Sequence, residues 1–488
     1  MCIRDSHNRF LNYLKCQLFQ LIEINKHSII FLIFVLLKLT YYYLMRRTIN
    51  LRKGLNLNLE GALPDNELKA ELVPERVAIV PDDFPGFLPK LDVKEGDAIK
   101  AGQPLLHDKN DADVKLVSPA AGTVEAVVRG ARRKIERVVV KVSGTEKVTL
   151  QSAMTGADRV KALLKESGLW AMMRRRPYDI VPQSGDVPRD IFVTAMDSAP
   201  LAPSLYAMVK DKQQALVSGV KALSLLTAGS IYIGVEKDSG FPDVPGAEIV
   251  EFPKLHPAGN VGVQIANIAP VNKGEVVWTL DVVTLVRIGE LMDTGVVDCS
   301  ACVAVTGSEV RQPRMVKTLI GAELDTLLKG EVKDDGRTHR IISGNVLTGV
   351  TEKLDGYLHY PYRHVTVIPE GDDADEFMGW ASLSPQKMSV NRSFLGHFLN
   401  RTFNPDARIN GGRRAMIMSG EYDKVFPMDI LPEYLLKAII AKDIDRMEAL
   451  GIYEVAPEDF ALAEYVDPSK LELQKIVREG LDYLRSEV

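Results

Sequence analysis

From Asp190 onward, short apolar segments alternate with amphipathic ones, and this alternation constrains the fold more than any other feature of the sequence. Strands are predicted at 191–195, 230–235, 248–252 and 276–280. Between them, Gln213–Leu226 has apolar residues at helical spacing. Nearly continuous apolar strands that alternate with helices are typical of a parallel sheet covered by helices. The sequence therefore predicts an α/β domain with a parallel sheet over 190–298.

A different pattern, of short strands broken by turns, covers 76–148. Its sequences "VKEGDAIKAGQPLL" (93–106) and "SPAAGTV" (118–124) resemble the lipoyl/biotinyl-like barrel-sandwich fold. In carrier proteins of that fold, a lysine at a hairpin tip is acylated, and Lys109 occupies a comparable place. The Met-Lys-Met context of biotinyl carriers is absent, however, and the hairpin Asn110–Lys115 is longer than in lipoyl carriers. We therefore favour an unmodified scaffold with an ordinary surface lysine.

The remaining segments complete a multidomain prediction of α/β and β parts. A connecting region at 149–189 contains a helix over Ala157–Met173, which Arg174–Pro177 ends. A small mixed domain follows at 299–350, and a loop-rich and then helical region occupies 351–488. In that last region we expect one long helix at Leu431–Leu450 and a final helix that Asp467 caps.

Residues 1–44 differ from everything that follows. They contain no Gly, Ala or Pro, whereas all 36 glycines and 26 prolines lie later in the chain. We interpret them as translated upstream DNA joined to a start at Met45, since the opening resembles translated adapter sequence. The alternative is a membrane anchor, because Ile29–Leu37 is an unbroken apolar run, although Lys38 ends it. A polar segment at 45–75 then leads into the first domain.

Composition excludes several classes of protein. The chain has 488 residues, is 46% hydrophobic and 26% charged, and carries a net charge of −5. These values are typical of soluble globular proteins and argue against disorder or a nucleic-acid binder. Four cysteines cannot build a disulfide scaffold, and just two of them, Cys299 and Cys302, follow residue 45. That usage suits a reducing cytoplasm.

No short motif supplies a complete catalytic or metal site. Cys299-Ser-Ala-Cys302 has no second CxxC and no histidine nearby in the sequence. We therefore favour buried structural thiols over a redox or metal-binding role for these cysteines. The histidines after residue 45 show no spacing or acidic partner typical of a metalloenzyme; they are His107, His256, His339, His359, His364 and His397. We therefore predict no catalytic, cofactor-binding or metal-binding residues.

The function of three weaker sequence patterns stays open. The glycine-containing stretch His256–Gly262 could cradle an anion with backbone N–H groups, as could Asn410–Arg414. Both are more often ordinary turns. A basic cluster on the last hairpin of the first domain is either a solvated surface or a docking site for an acidic partner or anionic lipid. It consists of Arg129, Arg132, Arg133, Lys134 and Arg137.

Long stretches of the chain, in one order, resemble a known family. They include "LRKGLNLNLEG" (51–61), "RDIFVTAMDSAPLAPS" (189–204) and "VAVTGSEVRQPRMVKTLIGAELDTLL" (303–328). Further such stretches lie at 254–295, 340–349 and 420–454. From Met45 to the C-terminus, the sequence resembles the NqrA family, which provides one component of the sodium-translocating NADH:quinone reductase of bacteria.

The resemblance implies a barrel-sandwich domain, a Rossmann-like domain, a β-grasp domain of the SLBB type and a helical C-terminal region. It also implies a peripheral subunit on the cytoplasmic face of the bacterial inner membrane, with no tightly bound cofactor. The partner subunits (B to F) would hold the flavins and the iron–sulfur centre, and quinone (ubiquinone or menaquinone) is a possible ligand. The chain would thus be part of a sodium-transporting enzyme, with no complete active site of its own.

One departure and several alternatives accompany the resemblance. Many relatives read Val-Cys-Pro where this chain has Val466-Asp467-Pro468, so a metal or redox role for the tail is disfavoured. The corresponding component of the related ion-translocating ferredoxin:NAD complex would need two four-cysteine motifs, which are absent. A stand-alone ligand-binding module or an acyl-carrier-like protein modified at Lys109 is the remaining alternative.

Overall fold

The computed structural model describes residues 46–151, 156–372, 387, 388, 390, 398 and 401–487. Its contacts divide the chain into two units, Met1–Thr48 and Ile49–Val488. In the first unit, the described residues contain one short strand, β1 (Arg47–Thr48). The proposed upstream or anchor segment, 1–44, lies outside the described residues. Within the described ranges, no helix is long and apolar enough to cross a membrane.

The second unit begins with β2 (Leu68–Glu71), whose partner strand comes much later, and continues with a two-sheet β domain. The strands of this domain are β3 (Arg76–Ile79), β4 (Pro89–Leu91), β5 (Ala98–Ile99), β6 (Pro104–Asp108), β7 (Lys115–Val117), β8 (Ala121–Arg129) and β9 (Ile135–Gly144). They pair antiparallel in the orders β3-β9-β8-β5 and β4-β6-β7. Val77, Leu105 and Val138 have no exposed surface, and they form the core between the sheets. This is the barrel-sandwich architecture that the sequence predicts.

The connecting helix is shorter than predicted. It forms α1 (Ala157–Glu166), and Gly168, just beyond its C-cap Ser167, has a φ of +78°. A left-handed backbone stops a helix and favours glycine. The charged run that follows forms a strand, β10 (Arg174–Arg176), where the sequence predicts only a helix end.

A mixed sheet comes next, and four of its strands are parallel. The elements are β11 (Ile191–Thr194), α2 (Leu205–Val209), α3 (Gln213–Leu223), β12 (Ile231–Glu236), β13 (Glu248–Phe252), α4 (Val261–Ile268), β14 (Val277–Asp281) and α5 (Val282–Thr294). The strand order is β13-β12-β11-β14, and β10 pairs antiparallel at the β14 edge. The predicted parallel α/β sheet is confirmed, and the connection reverses direction between β11 and β14. A crevice at such a reversal is a common ligand site.

A second mixed sheet contains strands from distant parts of the chain. Its elements are β15 (Ser300–Thr306), β16 (Arg314–Leu319), α6 (Leu324–Leu328), β17 (His339–Ser343), β18 (Val350–Glu352) and β19 (His364–Pro369). The order is β18-β17-β19-β15-β16-β2, so β2 adds to the far edge, parallel to β16. The sequence does not predict β16 or β19, although β19 lies in the middle of the sheet. Val365 and Val367 of β19 have no exposed surface.

The C-terminal region is helical, with α7 (Tyr422–Val425), α8 (Pro432–Ile440), α9 (Ile444–Ala449), α10 (Ala461–Val466) and α11 (Leu473–Glu487). The single helix predicted over 431–450 is wrong, because the chain breaks between α8 and α9. Lys442 has a φ of +54°, and the Asp443 side chain accepts a hydrogen bond from the Arg446 N–H to begin α9. Leu431 and Ile440, two apolar residues of this segment, are each 54% exposed.

The predicted role of Asp467 as cap of the last helix is also wrong. Asp467 follows the end of α10, and α11 begins six residues later, at Leu473. Its buried carboxylate accepts hydrogen bonds from the N–H groups of Ser469 (2.9 Å) and Leu471 (2.8 Å). It therefore organises the loop before the helix. The apolar face of α11 packs inward, since Leu473, Val477, Leu481 and Leu484 have no exposed surface.

Candidate functional site

A small apolar cavity lies where the β domain, the connecting segment and the second mixed sheet meet. Its volume is about 20 Å³, enough for about one water molecule. The side chains around it are mostly apolar, and they include Phe84, Leu116, Met172, Cys299, Leu358 and Tyr360. Residues from several distant sequence regions thus share one cavity.

Two aromatic rings form one wall of this cavity. The Phe84 and Tyr360 rings stack with centroids 5.3 Å apart and planes 8° apart. The Arg174 guanidinium lies 5.9 Å from each ring centroid and donates to the Asp83 carbonyl at 2.6 Å. The Tyr360 hydroxyl donates to the Met172 carbonyl at 2.8 Å, and burial raises the pKa of this tyrosine. The wall offers planar apolar faces with one hydroxyl and one cation.

An ionic cluster stands beside the aromatic wall. His359 contacts the Asp83 carboxylate through Nδ1 (2.6 Å) and the Glu352 carboxylate through Nε2 (2.9 Å). Burial opposes the charged imidazole, but the two carboxylates prevail and raise the His359 pKa to about 9. Burial raises the pKa of Asp83, while the hydrogen bond from His359 lowers that of Glu352. At neutral pH the cluster therefore contains an imidazolium.

A second, larger cleft opens at the carboxyl ends of β11 and β12. It measures about 590 Å³ and is bordered by Asn58, Asp197, Ser198 and Lys254 among others. Burial raises the pKa of Asp197, and the nearby Asp281 adds to this shift. Burial also disfavours the charge on Asp281, but Arg363 at 2.6 Å and the Thr284 N–H lower its pKa overall. The cleft is open, and polar and apolar groups contribute about equally to its lining.

The loop predicted as a possible anion cradle, His256–Gly262, is occupied by the protein's own groups. The Gly259 N–H donates to Ser198 Oγ (2.8 Å), and that hydroxyl lies 3.1 Å from His256 Nδ1. Burial lowers the His256 pKa to about 4, so this imidazole is neutral. A Cβ on Gly262 would lie 2.3 Å from an Asp459 carboxylate oxygen. That carboxylate leaves no room for a phosphate at the start of α4.

Asp459 belongs to a buried ionic network centred on Arg176. The guanidinium is 1% exposed and contacts Asp459 at 3.3 Å, Glu458 at 2.9 Å and Asp179 at 3.6 Å. Arg176 belongs to β10, whereas Glu458 and Asp459 precede α10. This network joins the first mixed sheet to the C-terminal helices.

The cysteines behave as expected for structural thiols. Cys299 is buried and its pKa is raised to about 11 by burial, while Cys302, inside β15, is half-buried with a pKa raised for the same reason. Thiolates are the reactive and metal-binding form, so both shifts disfavour chemistry at this motif. The structure places Cys299, but not Cys302, on the cavity.

The other predicted features lie apart from the cavity. Lys109 is exposed between β6 and β7, consistent with the hairpin-tip position. In the basic cluster, Lys134 pairs with Asp82 at 2.6 Å and Arg137 lies over the Tyr357 ring. In the stretch 410–414, Arg413 pairs with Glu472 at 3.0 Å and the Arg414 N–H donates to the Ser469 carbonyl.

Three of the histidines have carboxylate partners that the sequence pattern does not indicate. His359 has two carboxylate partners, His107 contacts Asp92 at 2.7 Å, and His339 lies between Glu309 and Asp335. His397 lies outside the described residues. Asp335 precedes His339 by four residues and is visible in the sequence, whereas Asp83 and His359 are 276 positions apart. No local pattern could have paired them.

Family comparisons agree with the predicted succession of domains. Residues 49–143 match the NqrA N-terminal barrel-sandwich hybrid domain. Residues 155–297 match the NqrA second alpha/beta domain, and residues 302–353 match the NQRA C-terminal domain, an SLBB model. Together these models cover more than half of the chain.

Full-length relatives extend the match. The NqrA component of the Na(+)-translocating NADH-quinone reductase of Pasteurella multocida is 37% identical over 450 residues, which are 90% of this chain and 100% of the relative. The Histophilus somni protein of the same name is 36% identical over the same shares, and so is the Neisseria meningitidis serogroup B protein, over 449 residues.

Proposed function

Because the chain belongs to the NqrA family of the Na(+)-translocating NADH-quinone reductase, we propose that it acts as a peripheral subunit of that complex. It would lie on the cytoplasmic face of the bacterial inner membrane, assemble with the partner subunits (B to F) and take part in quinone binding. The observation that carries this proposal is the match over 100% of the length of the relatives. The flavins and the iron–sulfur centre would belong to the partner subunits.

The cavity at Phe84 and Tyr360 is our candidate for the quinone contact. A quinone has a flat apolar ring with two carbonyl oxygens, and pockets for such ligands are mostly apolar with few polar anchors. The stacked rings offer planar faces, and the Arg174 guanidinium beside them offers N–H donors. The Tyr360 hydroxyl donates to the Met172 carbonyl and would have to leave this partner to bind a quinone oxygen. At about 20 Å³ the cavity is too small for the ring, so binding requires the two aromatic rings to separate.

Purification from the native host tests membership of the complex. A C-terminally tagged chain would be isolated from gently solubilised membranes and assayed for sodium-stimulated NADH:quinone reductase activity. We expect flavin-bearing integral subunits to co-purify with that activity. A partnerless and inactive chain would contradict the proposal and favour a stand-alone ligand-binding module or a carrier modified at Lys109.

A pair of valine substitutions tests the cavity in the purified complex. Cys299→Val adds volume inside the cavity, whereas Cys302→Val makes the same change outside it. We expect Cys299→Val to raise the KM for a short-chain quinone several-fold while kcat with saturating quinone stays within about twofold. An unchanged KM in Cys299→Val, with the protein still folded, would exclude this cavity as the quinone contact without touching membership of the complex.

A further inference from the structure

Three side chains of types that commonly bind metal ions cluster in the second mixed sheet. They share no residue with the cavity at Phe84 and Tyr360. Glu309 is in the connection between β15 and β16, and His339 is the first residue of β17. Asp335 is in the loop just before β17. One ligand atom from each of the three residues lies within 4.8 Å of the others.

The buried carboxylate of Glu309 is the first reason to infer a ligand. Glu309 is 3% exposed, and its Oε2 atom has no hydrogen-bond partner. An unsatisfied buried carboxylate oxygen is costly, so such an atom calls for a partner. Oε2 points at the Nδ1 atom of His339, which is buried and without a hydrogen-bond partner as well.

The tautomer of His339 sharpens this inference. Its Nε2 atom lies 3.0 Å from the Lys333 carbonyl, an oxygen that can only accept, and 3.5 Å from Asp335 Oδ1, so Nε2 carries a proton. In the neutral ring Nδ1 then presents a lone pair, and this lone pair faces a carboxylate oxygen. Two acceptors that face each other require a cation between them. An imidazole that donates its second N–H to a backbone carbonyl is also the usual arrangement of a metal-bound histidine.

The distance distinguishes a metal ion from a proton. Nδ1 and Oε2 are 3.4 Å apart. A charge-assisted N–H···O bond is about 2.7–2.9 Å long, so a shared proton would draw these atoms closer. Two ligands of a tetrahedral ion with bonds of about 2.0–2.2 Å stand roughly 3.3–3.6 Å apart. The observed separation matches two neighbouring metal ligands.

We propose that Glu309, Asp335 and His339 form a binding site for a divalent transition-metal ion, with Zn²⁺ as the best match. One imidazole and two carboxylates are ligands suited to Zn²⁺. Asp335 Oδ1 lies nearest to Nε2, and Asp335 belongs to an exposed loop, so a shift of this loop would bring the carboxylate to an ion held at Nδ1. Water would complete the coordination. Bound metal would tie the β15–β16 connection to the start of β17. This site is independent of the proposed quinone contact.

Two neighbouring cations limit the affinity of this site. Lys333 Nζ donates to the Ser308 carbonyl at 2.5 Å, and Arg337 Nε lies 3.8 Å from Asp335 Oδ2. Their charges oppose that of a divalent ion. We therefore expect weaker binding than in a structural zinc site with four protein ligands.

The test is a titration of the metal-stripped full chain with Co²⁺, which reports its ligands through visible d–d bands, followed by displacement with Zn²⁺. The variants are Asp335→Asn, Glu309→Gln and His339→Gln, with His107→Gln as the matched control because its imidazole pairs with one carboxylate in the β domain. We expect about one Co²⁺ per unchanged chain and per control chain. Each of the three site variants should bind at least tenfold more weakly.

Several results would overturn the proposal. One is the absence of a stoichiometric Co²⁺ spectrum in the unchanged chain. Another is a Co²⁺ affinity of His339→Gln or Asp335→Asn that equals the affinity of the unchanged chain. Asp335 lies on an exposed loop, so its variant remains informative even if a buried replacement disturbs folding. An increase of the melting temperature by Zn²⁺ in the unchanged chain, but not in Asp335→Asn, provides a second readout that needs no spectrum.

Discussion

At the scale of single residues, the charge on His359 couples the β domain to the second mixed sheet. Its folded-state pKa of about 9 lies above the ordinary value of 6.5 because Asp83 and Glu352 stabilise the imidazolium. A raised pKa contributes stability that is fully present below pH 6.5 and is lost as pH rises towards 9. The contribution is about 3 kcal/mol at most.

We therefore predict that replacing His359 by Gln destabilises the chain in a pH-dependent way. The difference in free energy of unfolding from the unchanged chain should be largest near pH 6 and should shrink between pH 6.5 and 9. Urea denaturation at a series of pH values measures it, with His107→Gln as the control. A difference that stays constant over this range would refute the charged state.

The two cysteines should differ in reactivity. Burial raises the pKa of Cys299 to about 11, and Cys302 is less buried. Since the thiolate is the reactive form, we predict that a small aromatic disulfide reagent at pH 7.5 modifies Cys302 faster than Cys299 in the folded chain. Mass spectrometry of Cys299→Val and Cys302→Val separates the two rates. Faster labelling of Cys299 would contradict the burial of its side chain.

Residue-scale chemistry is the least accessible from sequence. Motif spacing predicts structural thiols, and the resemblance to the lipoyl/biotinyl-like fold predicts the hairpin-tip position of Lys109, because both depend on nearby residues. They do not reveal the partners of His359 or of Arg176, which lie up to 283 positions away. Side chains so far apart in sequence meet because sheets place distant strands side by side. A local sequence pattern does not indicate which distant strands will pair.

At the scale of elements, the boundary between α8 and α9 depends on one cap. Apolar periodicity runs through this boundary, so the sequence pattern predicts one helix, yet Lys442 adopts a left-handed backbone there. The Asp443 carboxylate then satisfies the Arg446 N–H at 3.1 Å. Capping by Asp is favourable at such a position.

We predict that Asp443→Ala lowers the free energy of unfolding by about 1 kcal/mol. The neighbouring Asp445→Ala, in the first turn but not the cap, should change it by less than about 0.5 kcal/mol. Chemical denaturation of both variants makes the comparison. Equal effects would mean that the cap hydrogen bond contributes nothing beyond the interaction of an acidic residue with the helix start.

The strand β10, which the sequence does not predict, has a clear physical cause. Arg174–Arg176 is a charged run, which argues against a buried strand, and yet β10 pairs along β14 because buried acids neutralise Arg176. The parallel strands β11 to β14, by contrast, are mainly apolar, and the sequence predicts them within a residue or two. Prediction from sequence succeeds where the side chains of a segment favour the element that it forms. It fails where a residue distant in sequence neutralises a charge that would otherwise disfavour that element.

At the scale of the whole molecule, the Arg176 network joins the sheet to the C-terminal helices. The last helix adds a second tie, because the Arg478 guanidinium donates to the Tyr178 and Asp179 carbonyls at 2.5 and 3.1 Å. Removing one member of a buried ion network leaves charges without partners, which costs about 3–5 kcal/mol.

We predict that Arg176→Met destabilises the chain by about this amount and loosens the C-terminal helices first. Limited proteolysis should then cleave within 401–487 earlier than in the unchanged chain. Arg129→Met, at an exposed arginine of the β8–β9 hairpin, is the matched control and should leave the cleavage pattern unchanged. Unaltered proteolysis of Arg176→Met would show that the helices hold without the network.

The pairing of β2 with β16 has a consequence for the time course of biosynthesis. Leu68 is paired with Met315, so the strand at the edge of the second sheet waits for a partner about 250 residues further along. At a translation rate of about 5–20 residues per second, this wait lasts tens of seconds. During it, an unpaired strand with a half-exposed leucine, Leu68, would stand outside the ribosome. Nascent chains halted before residue 314 should therefore bind trigger-factor-like chaperones at this strand, and chains halted well beyond residue 319 should release them.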